Sequence, residues 1–399
     1  MDATELGPWL RLALTPGVGD QAARRLLAAF GSPPHVFAAS MAALEQVVGR
    51  TQARALHQVP EALEALQRAT WHWLHEDADE SGSASASGAS GDIARRIVTL
   101  GDADYPRALL DTADPPLMLY LLGPARFDLD RLQRSIALVG SRNPTPQGAG
   151  NARAFARAFA ERGITVVSGL ALGIDGAAHE GALEGWPVAG EAATHPATVA
   201  VVGTGLDRVY PARHRALAHR IAQSGLIISE FPLGTPPLSQ NFPRRNRLIA
   251  GLARGTLVAE AALASGSLVT AQLTVEQGKD VFAIPGSIHS PQSRGCHALI
   301  RQGAKLVERA SDVLEELRWA DDTAQSQCRA DQSDGDLPNV SGAARPLLDA
   351  LGYDPVSLDA LSARSGWSAG ELQAQLLELE LEGHVARLPG GLFQRVGAA

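Results

Sequence analysis

The sequence predicts an α/β fold: an extended Rossmann-like, doubly wound, mostly parallel sheet with an N-terminal all-helical domain and a C-terminal winged-helix-like domain. Three patterns in the 399 residues predict it. Apolar residues at helical spacing fill the first 75 positions. Short apolar runs then alternate with helical stretches from 93 to 318. The tail runs helix, helix, helix, strand pair. The expected units are a helical domain (1–75, of helix-hairpin-helix or sterile-alpha-like type), a linker (76–92), the Rossmann-like domain (93–318), a second linker (319–340) and the winged-helix-like domain (341–399).

In the helical unit, Leu10, Leu12, Leu14, Ala23, Leu26, Leu27 and Phe30 recur at helical spacing. LTPGVG (14–19) followed by AARRLLAAFG looks like a helix-hairpin-helix turn, whose glycines leave backbone N–H groups free for a phosphate; a plain tight turn is the alternative. EDADESGSASASGASGD (76–92) lacks large apolar residues and reads as a flexible linker. Beyond it come IALVG (136–140), ITVVSG (164–169), TVAVVG (198–203), LIISE (226–230), GTLVAEA (255–261) and DVFAIPG (280–286), each followed by helical sequence except LIISE. Continuous apolar strands between helices mean a parallel sheet covered on both faces. In the tail, Glu371, Glu378, Glu380 and Glu382 lie on or beside the third helix, where they would face phosphates. The wing therefore suits protein contact or a scaffold role better than reading a major groove.

Composition removes several classes. No run of 18 apolar residues exists to span a membrane, and the acidic N-terminal stretch lacks the basic start of a signal peptide, so a cytoplasmic protein is expected. Two cysteines, Cys296 and Cys328, are too few for a disulfide framework or a four-cysteine zinc site. The net charge of -8 argues at first against nucleic acid, but it averages unlike parts. From Arg131 to Arg254 there are 14 Arg, no Lys and 7 acidic residues, so this segment is +7 and the remainder is -15 (-8 minus +7). Solvated, Arg-rich helix faces are the plainer explanation, since only 2 of the 35 basic residues are Lys.

Ligands of open α/β sheets bind at the carboxyl ends of the strands, and five loops converge there. Gly140, Ser141 and Arg142 combine a glycine for close approach, a hydroxyl donor and a guanidinium that holds phosphate with two bonds. Ser168 and Gly169 open SGLALGID, with Gly173 inside it, an anion loop by type. It is neither GxGxxG nor accompanied by a Walker lysine, so no nucleotide cofactor is expected. Gly203, Thr204 and Gly205 lead toward Tyr210 and Arg213. Phe242, Arg244, Arg245 and Arg247 place three arginines beside an aromatic ring, which suits phosphate contact plus base stacking; pairing of some of them with Glu230 and Glu260 inside the fold is the alternative, and one arginine is expected to be structural. Ser267 and Thr270 begin a hydroxyl-rich helix start, either phosphate ligands or ordinary caps. Asp175, His179, Asp207, Glu230 and Glu260 could act as bases, yet no triad order and no metal-ligand spacing accompany them. Cys296 and His297 are adjacent on one helix and point apart. No catalytic residue and no metal are expected.

The series VGSR, SGxAxGID with AH, GTGxDxxYP, SEFP, FPxRNRxIAG, EAxxxSGSLxTA, VFAxPG and GCHxLIxxGA, in this order over about residues 100–315, resembles the DNA-processing protein A (DprA/Smf) family. The resemblance implies an extended Rossmann domain that binds single-stranded DNA, protects incoming DNA in natural transformation and loads RecA recombinase onto it. It further implies a homodimer and a non-catalytic role, with no cofactor. On this resemblance the family's phosphate pocket falls on Gly140, Ser141, Arg142, Ser168, Gly169, Phe242, Arg244, Arg245 and Arg247. Departures are Gln147-Gly148 in place of a tyrosine-glycine pair, a basic residue shifted to Arg213, His214 in place of asparagine, and a long connection from Glu184 to Ala197. The rival readings are a phosphoribohydrolase-like nucleotide-cleaving enzyme, whose PGGxGT-type loop is missing, and a nucleotide-sensing regulator.

Overall fold

The computed structural model describes residues 3–75, 93–186, 194–319 and 345–395. The expected linkers lie outside these residues, apart from Trp319, as do residues 187–193 of the long connection.

The first unit is six helices, from Ala3–Leu14 to Leu63–His75, packed on Leu6, Leu10, Leu26, Leu44 and Leu56. Nine strands follow: β1 (Ile93–Thr99), β2 (Met118–Pro124), β3 (Ser135–Val139), β4 (Thr165–Ser168), β5 (Thr198–Val201), β6 (Leu226–Ser229), β7 (Gly255–Val258), β8 (Asp280–Ala283) and β9 (Lys305–Leu306). They form one sheet in the order β1-β2-β6-β5-β4-β3-β7-β8-β9. From β6 to β9 every pairing is parallel. Both faces are covered, as the unbroken apolar runs require: Ala137 and Val139 pack into one core, Ile136 and Leu138 into another.

The chain builds outward from β3 through β4, β5 and β6, then returns to the other side of β3 with β7. This reversal between β3 and β7 is a topological switch point, where the following helices diverge and leave a crevice at the carboxyl ends.

The sequence reading passed over the first two strands. β1 and β2 form an antiparallel hairpin, and β2 pairs antiparallel with β6, closing that edge of the parallel array. The hairpin also joins the helical unit to the sheet: the ring of Trp73 meets Tyr120 of β2 edge-on at 6.0 Å, and the buried side chains of both units form one continuous cluster.

The tail is a winged helix. Helices Arg345–Leu351, Leu358–Ser365 and Ala369–Leu381 pack on strands β10 (Val356–Ser357), β11 (Val385–Leu388) and β12 (Leu392–Arg395). β10 adds a strand to the expected pair; two residues are too short to show alternation. Ser368 and Glu371 form a reciprocal capping box at the third helix, Glu371 accepting Ser368 N–H at 2.9 Å. One of the four acids is therefore a cap, while Glu378, Glu380 and Glu382 stand in solvent. Among the described residues no helix is long and apolar enough to cross a membrane.

Phe159, fully buried and edge-on to Phe155, anchors the core beneath β3 and β4. Phe159→Ala is expected to lower the unfolding free energy by about 3–5 kcal/mol in urea denaturation. Leu381→Ala, on the exposed face of the wing, should stay within ~0.5 kcal/mol.

Candidate nucleic-acid interface

At the switch point the loop after β3 is fastened to the end of β7. Ser141 N–H donates to the carbonyl of Glu260 at 2.7 Å, and the Glu260 carboxylate accepts Thr145 N–H at 2.9 Å and Thr145 Oγ1–H at 2.6 Å. Thr145 in turn caps the helix Pro146–Glu161 by accepting Gly148 N–H at 3.0 Å. Burial raises the Glu260 pKa, and the two bonds from Thr145 oppose this. Among the described residues no arginine pairs with Glu260; the partner of its carboxylate is a threonine. A Cβ on Gly140 would lie 2.6 Å from Ile174 Cγ1 and 2.7 Å from Glu260 O, so this glycine serves packing within the loop rather than approach of a phosphate.

The loop after β4 is occupied by the chain itself. Its amides, Gly169 N–H and Ala171 N–H, both donate to the buried carboxylate of Asp175, at 3.2 and 3.3 Å. Ser168 Oγ–H donates into the sheet, to Leu138 O at 2.6 Å. Gly173 has φ +83°, and a Cβ there would meet Ser141 O at 2.4 Å. Ser168, Gly169 and Gly173 are thus structural: an internal carboxylate takes the position that the sequence offered to an external anion.

The three arginines of the helix Asn241–Leu252 separate by direction. Arg245 is only 4% exposed, and its Nη1 donates to Gly169 O at 2.5 Å and to Val201 O. Burial lowers its pKa to about 10, so it keeps its charge at neutral pH. Arg247 points to the helical unit and bonds the Glu230 carboxylate and Asp114 O. Arg244 pairs with Asp20 at 2.8 Å and Glu230 at 3.4 Å. Burial pushes the Glu230 carboxyl up to about 7 against the pull of Arg247 and Arg244. More than one arginine is therefore structural, and the pairing with Glu230 holds while that with Glu260 does not.

What remains open to a ligand is a cleft of about 810 Å³ lined by Gly140, Ser141, Arg142, Phe242, Ser267 and Thr270, with Arg245 in its wall. Above it is a stack. The Arg142 guanidinium lies 5.6 Å from the centre of the Phe242 ring, and Phe242 lies 5.6 Å from Tyr210 at an interplanar angle of 34°. Arg142 is exposed and makes neither a hydrogen bond nor an ion pair with the described residues; Tyr210 is 47% exposed. Gly203 supports the stack, because a Cβ there would press on Phe242 Cδ1 at 3.1 Å. Thr204 is buried, and Gly205 has no room for a side chain between Asp207 and Pro232, so neither faces the cleft. Arg213 is exposed on the short helix Ala212–His214, just beyond Tyr210. Ser267 and Thr270 line the cleft from the first turn of the helix Ser267–Glu276. Tyr210 was missed as a stacking residue, although its place in the GTGxDxxYP motif could have marked it.

The acid–base candidates have structural partners. Asp207 pairs with Arg208 at 2.8 Å and accepts Gly234 N–H. Thr198 Oγ1–H donates to Val166 O, so it accepts Nδ1–H of His179 at 2.7 Å. Cys296 is buried and its thiol is pushed up to about 12 by burial, while His297 bonds Gly286 O. No group of three or more His, Cys, Asp or Glu that could hold a metal occurs among the described residues.

Residues 96–318 match the family model of DNA recombination-mediator protein A, and residues 331–391 match the DprA winged helix domain. The chain belongs to the DprA family. It is 44% identical to Protein Smf of Escherichia coli over 294 residues, 72% of this chain and 74% of that one. It is 45% identical to the DNA processing protein DprA of Streptococcus pneumoniae over 218 residues, 55% of this chain and 73% of that one. The crystal structure of DNA processing protein A from Streptococcus pneumoniae superposes with TM-score 0.61 at 33% identity, covering 79% of this chain and 98% of that one. The residues of the carboxyl edge fall into two groups: those that fasten its loops, and those that build the stack above it.

Two outcomes follow from this division. Arg245→Ala strands two buried carbonyls beside Asp175 and should cost about 3 kcal/mol in chemical denaturation, whereas Arg142→Ala should stay within ~0.5 kcal/mol. Burial lowers the His179 pKa from 6.5 to about 3, so the neutral imidazole contributes stability that is full above pH 6.5 and is lost as pH falls toward 3. Between pH 6 and 4 the wild type should lose up to ~1.4 kcal/mol per pH unit from this group, and His179→Gln should show a flatter slope in the same denaturation series.

Proposed function

We propose that the chain binds single-stranded DNA at the carboxyl edge of its sheet, holding bases on the Phe242–Tyr210 stack and phosphates with Arg142 and Arg213. The observation that carries this reading is the exposed Arg142 guanidinium lying over the Phe242 ring, which is itself paired with the exposed Tyr210. Stacking accepts any base, and a strand pulled flat onto such a surface cannot also be paired in a duplex, so single strands are favoured with slight sequence preference. The +7 charge between Arg131 and Arg254 supports the same reading, as does the description of the matched family as a recombination mediator. We infer accordingly that the protein acts in the cytoplasm as a homodimer, shields incoming DNA in natural transformation and passes it to RecA recombinase, without itself catalysing a reaction.

Fluorescence anisotropy with a labelled oligo-dT and the matching duplex at two salt concentrations tests the reading. The single strand should bind more tightly, with affinity falling as salt rises. Phe242→Leu is expected to weaken binding by about 1–3 kcal/mol and Arg142→Ala by about 1 kcal/mol, both with unchanged melting transitions. Single-strand affinity that is insensitive to both variants would place the DNA elsewhere on the molecule.

A further inference from the structure

Arg244 occupies an unusual position for a residue of a nucleic-acid motif. It follows Pro243, which lines the cleft, yet its guanidinium turns away from the stack toward the helical unit. There it meets Asp20, the first residue of the helix Asp20–Phe30, immediately after the glycine turn 14–19. Asp20 Oδ2 accepts from Arg244 Nη2 at 2.8 Å and lies 3.4 Å from Arg247 Nη2. One carboxylate of the helical unit thus bridges two guanidinium groups of the DNA-binding helix.

The surrounding charges show what Asp20 does. Behind the arginines stands Glu230, whose side chain is 2% exposed, and one carboxylate cannot neutralise two guanidinium groups. Asp114 assists Arg247 from 3.6 Å but is itself 46% exposed. The Arg244 side chain remains half exposed even with Asp20 in place. Without Asp20, the half-exposed Arg244 guanidinium would remain beside the cleft wall without its nearest counter-charge, while Arg247, 14% exposed, stays with Glu230 and Asp114 behind it; an exposed guanidinium of this kind takes up a phosphate.

We propose that Arg244, backed by Arg247, is a second phosphate site next to the cleft, filled in this structure by the Asp20 carboxylate, so that the helical unit and a DNA strand compete for it. This rests on the single-strand reading above. A strand leaving the stack over Pro243 reaches Arg244 next, and its phosphate replaces a carboxylate of the same charge sign. The glycine turn that resembles a helix-hairpin-helix element then acts by presenting an aspartate in place of a phosphate.

The test is a cycle on the full chain, using oligo-dT affinity as the readout. Asp20→Asn should bind about fivefold more tightly than wild type, the scale of one partly exposed ion pair. The gain should vanish when Arg244→Ala is present in the same chain. Glu64→Gln removes the same charge from an exposed site of the helical unit and should leave affinity unchanged. Asp20→Ser, which keeps a hydrogen-bonding oxygen at the helix start, provides a second removal if the asparagine variant melts early. Unchanged or weaker binding in both Asp20 variants overturns the proposal, as does a gain that persists with Arg244→Ala or that Glu64→Gln reproduces. Loss of binding in Arg142→Ala is independent of all these outcomes, so failure of the competition is distinguishable from failure of the single-strand reading.

Discussion

The carboxyl edge of the sheet depends on one buried cation. Arg245 enters the sheet from the helix Asn241–Leu252 and donates to carbonyls at the ends of β4 and β5, beside the carboxylate that holds the loop after β4. Two strand ends that would otherwise carry unpaired carbonyls are thereby joined to one guanidinium. Both bonds leave one nitrogen, Nη1, so what distinguishes arginine from lysine here is that its delocalised charge survives full burial. Because Arg245 fixes the helix, the same helix can hold Phe242 over Gly203 and direct Arg244 to the opposite side.

On the far side of the switch point, Glu260 plays the complementary part. It receives the backbone and hydroxyl of Thr145 and, through its own carbonyl, the amide of Ser141. Two buried charges, one of each sign and each satisfied by neutral partners, hold the loops from which Arg142 projects. The cleft is thus held in shape by Glu260 behind its first loop and by Arg245 in its wall.

Much of the fold was legible in the sequence. The parallel strands announce themselves as unbroken apolar runs because both faces of the sheet are covered, and the wing's helix order follows from periodicity. β1 was harder, since IARRIVT mixes charge and apolar residues in a strand at the sheet's edge, and β2 was passed over although MLYLLGP is a run of the same kind as the others. At the carboxyl edge, motif and spacing mark loops that the fold brings together, but not the direction of each side chain. Arg244, Arg245 and Arg247 look equivalent in a string, yet on a helix they face the helical unit, the core and the helical unit again. Nor does spacing show that Asp175, six residues after Gly169, folds back to take the amides of the loop. Side-chain direction within a short motif is set by tertiary partners that lie far away in the chain, Asp20 being the extreme case.

The antiparallel hairpin also bears on how the chain is made. β2 finishes at Pro124, but the strand it pairs with, β6, begins at Leu226. At roughly 5–20 residues per second of synthesis, the apolar run MLYLLGP, paired with β1 on one side only, waits about 5–20 seconds on the ribosome before its second partner exists. The helical unit shares its core with that hairpin and with β6, so its docking is held back for the same interval. The first residues to emerge are thus among the last to reach their final neighbours, and the interval is one in which a chaperone that shields extended apolar segments has something to hold.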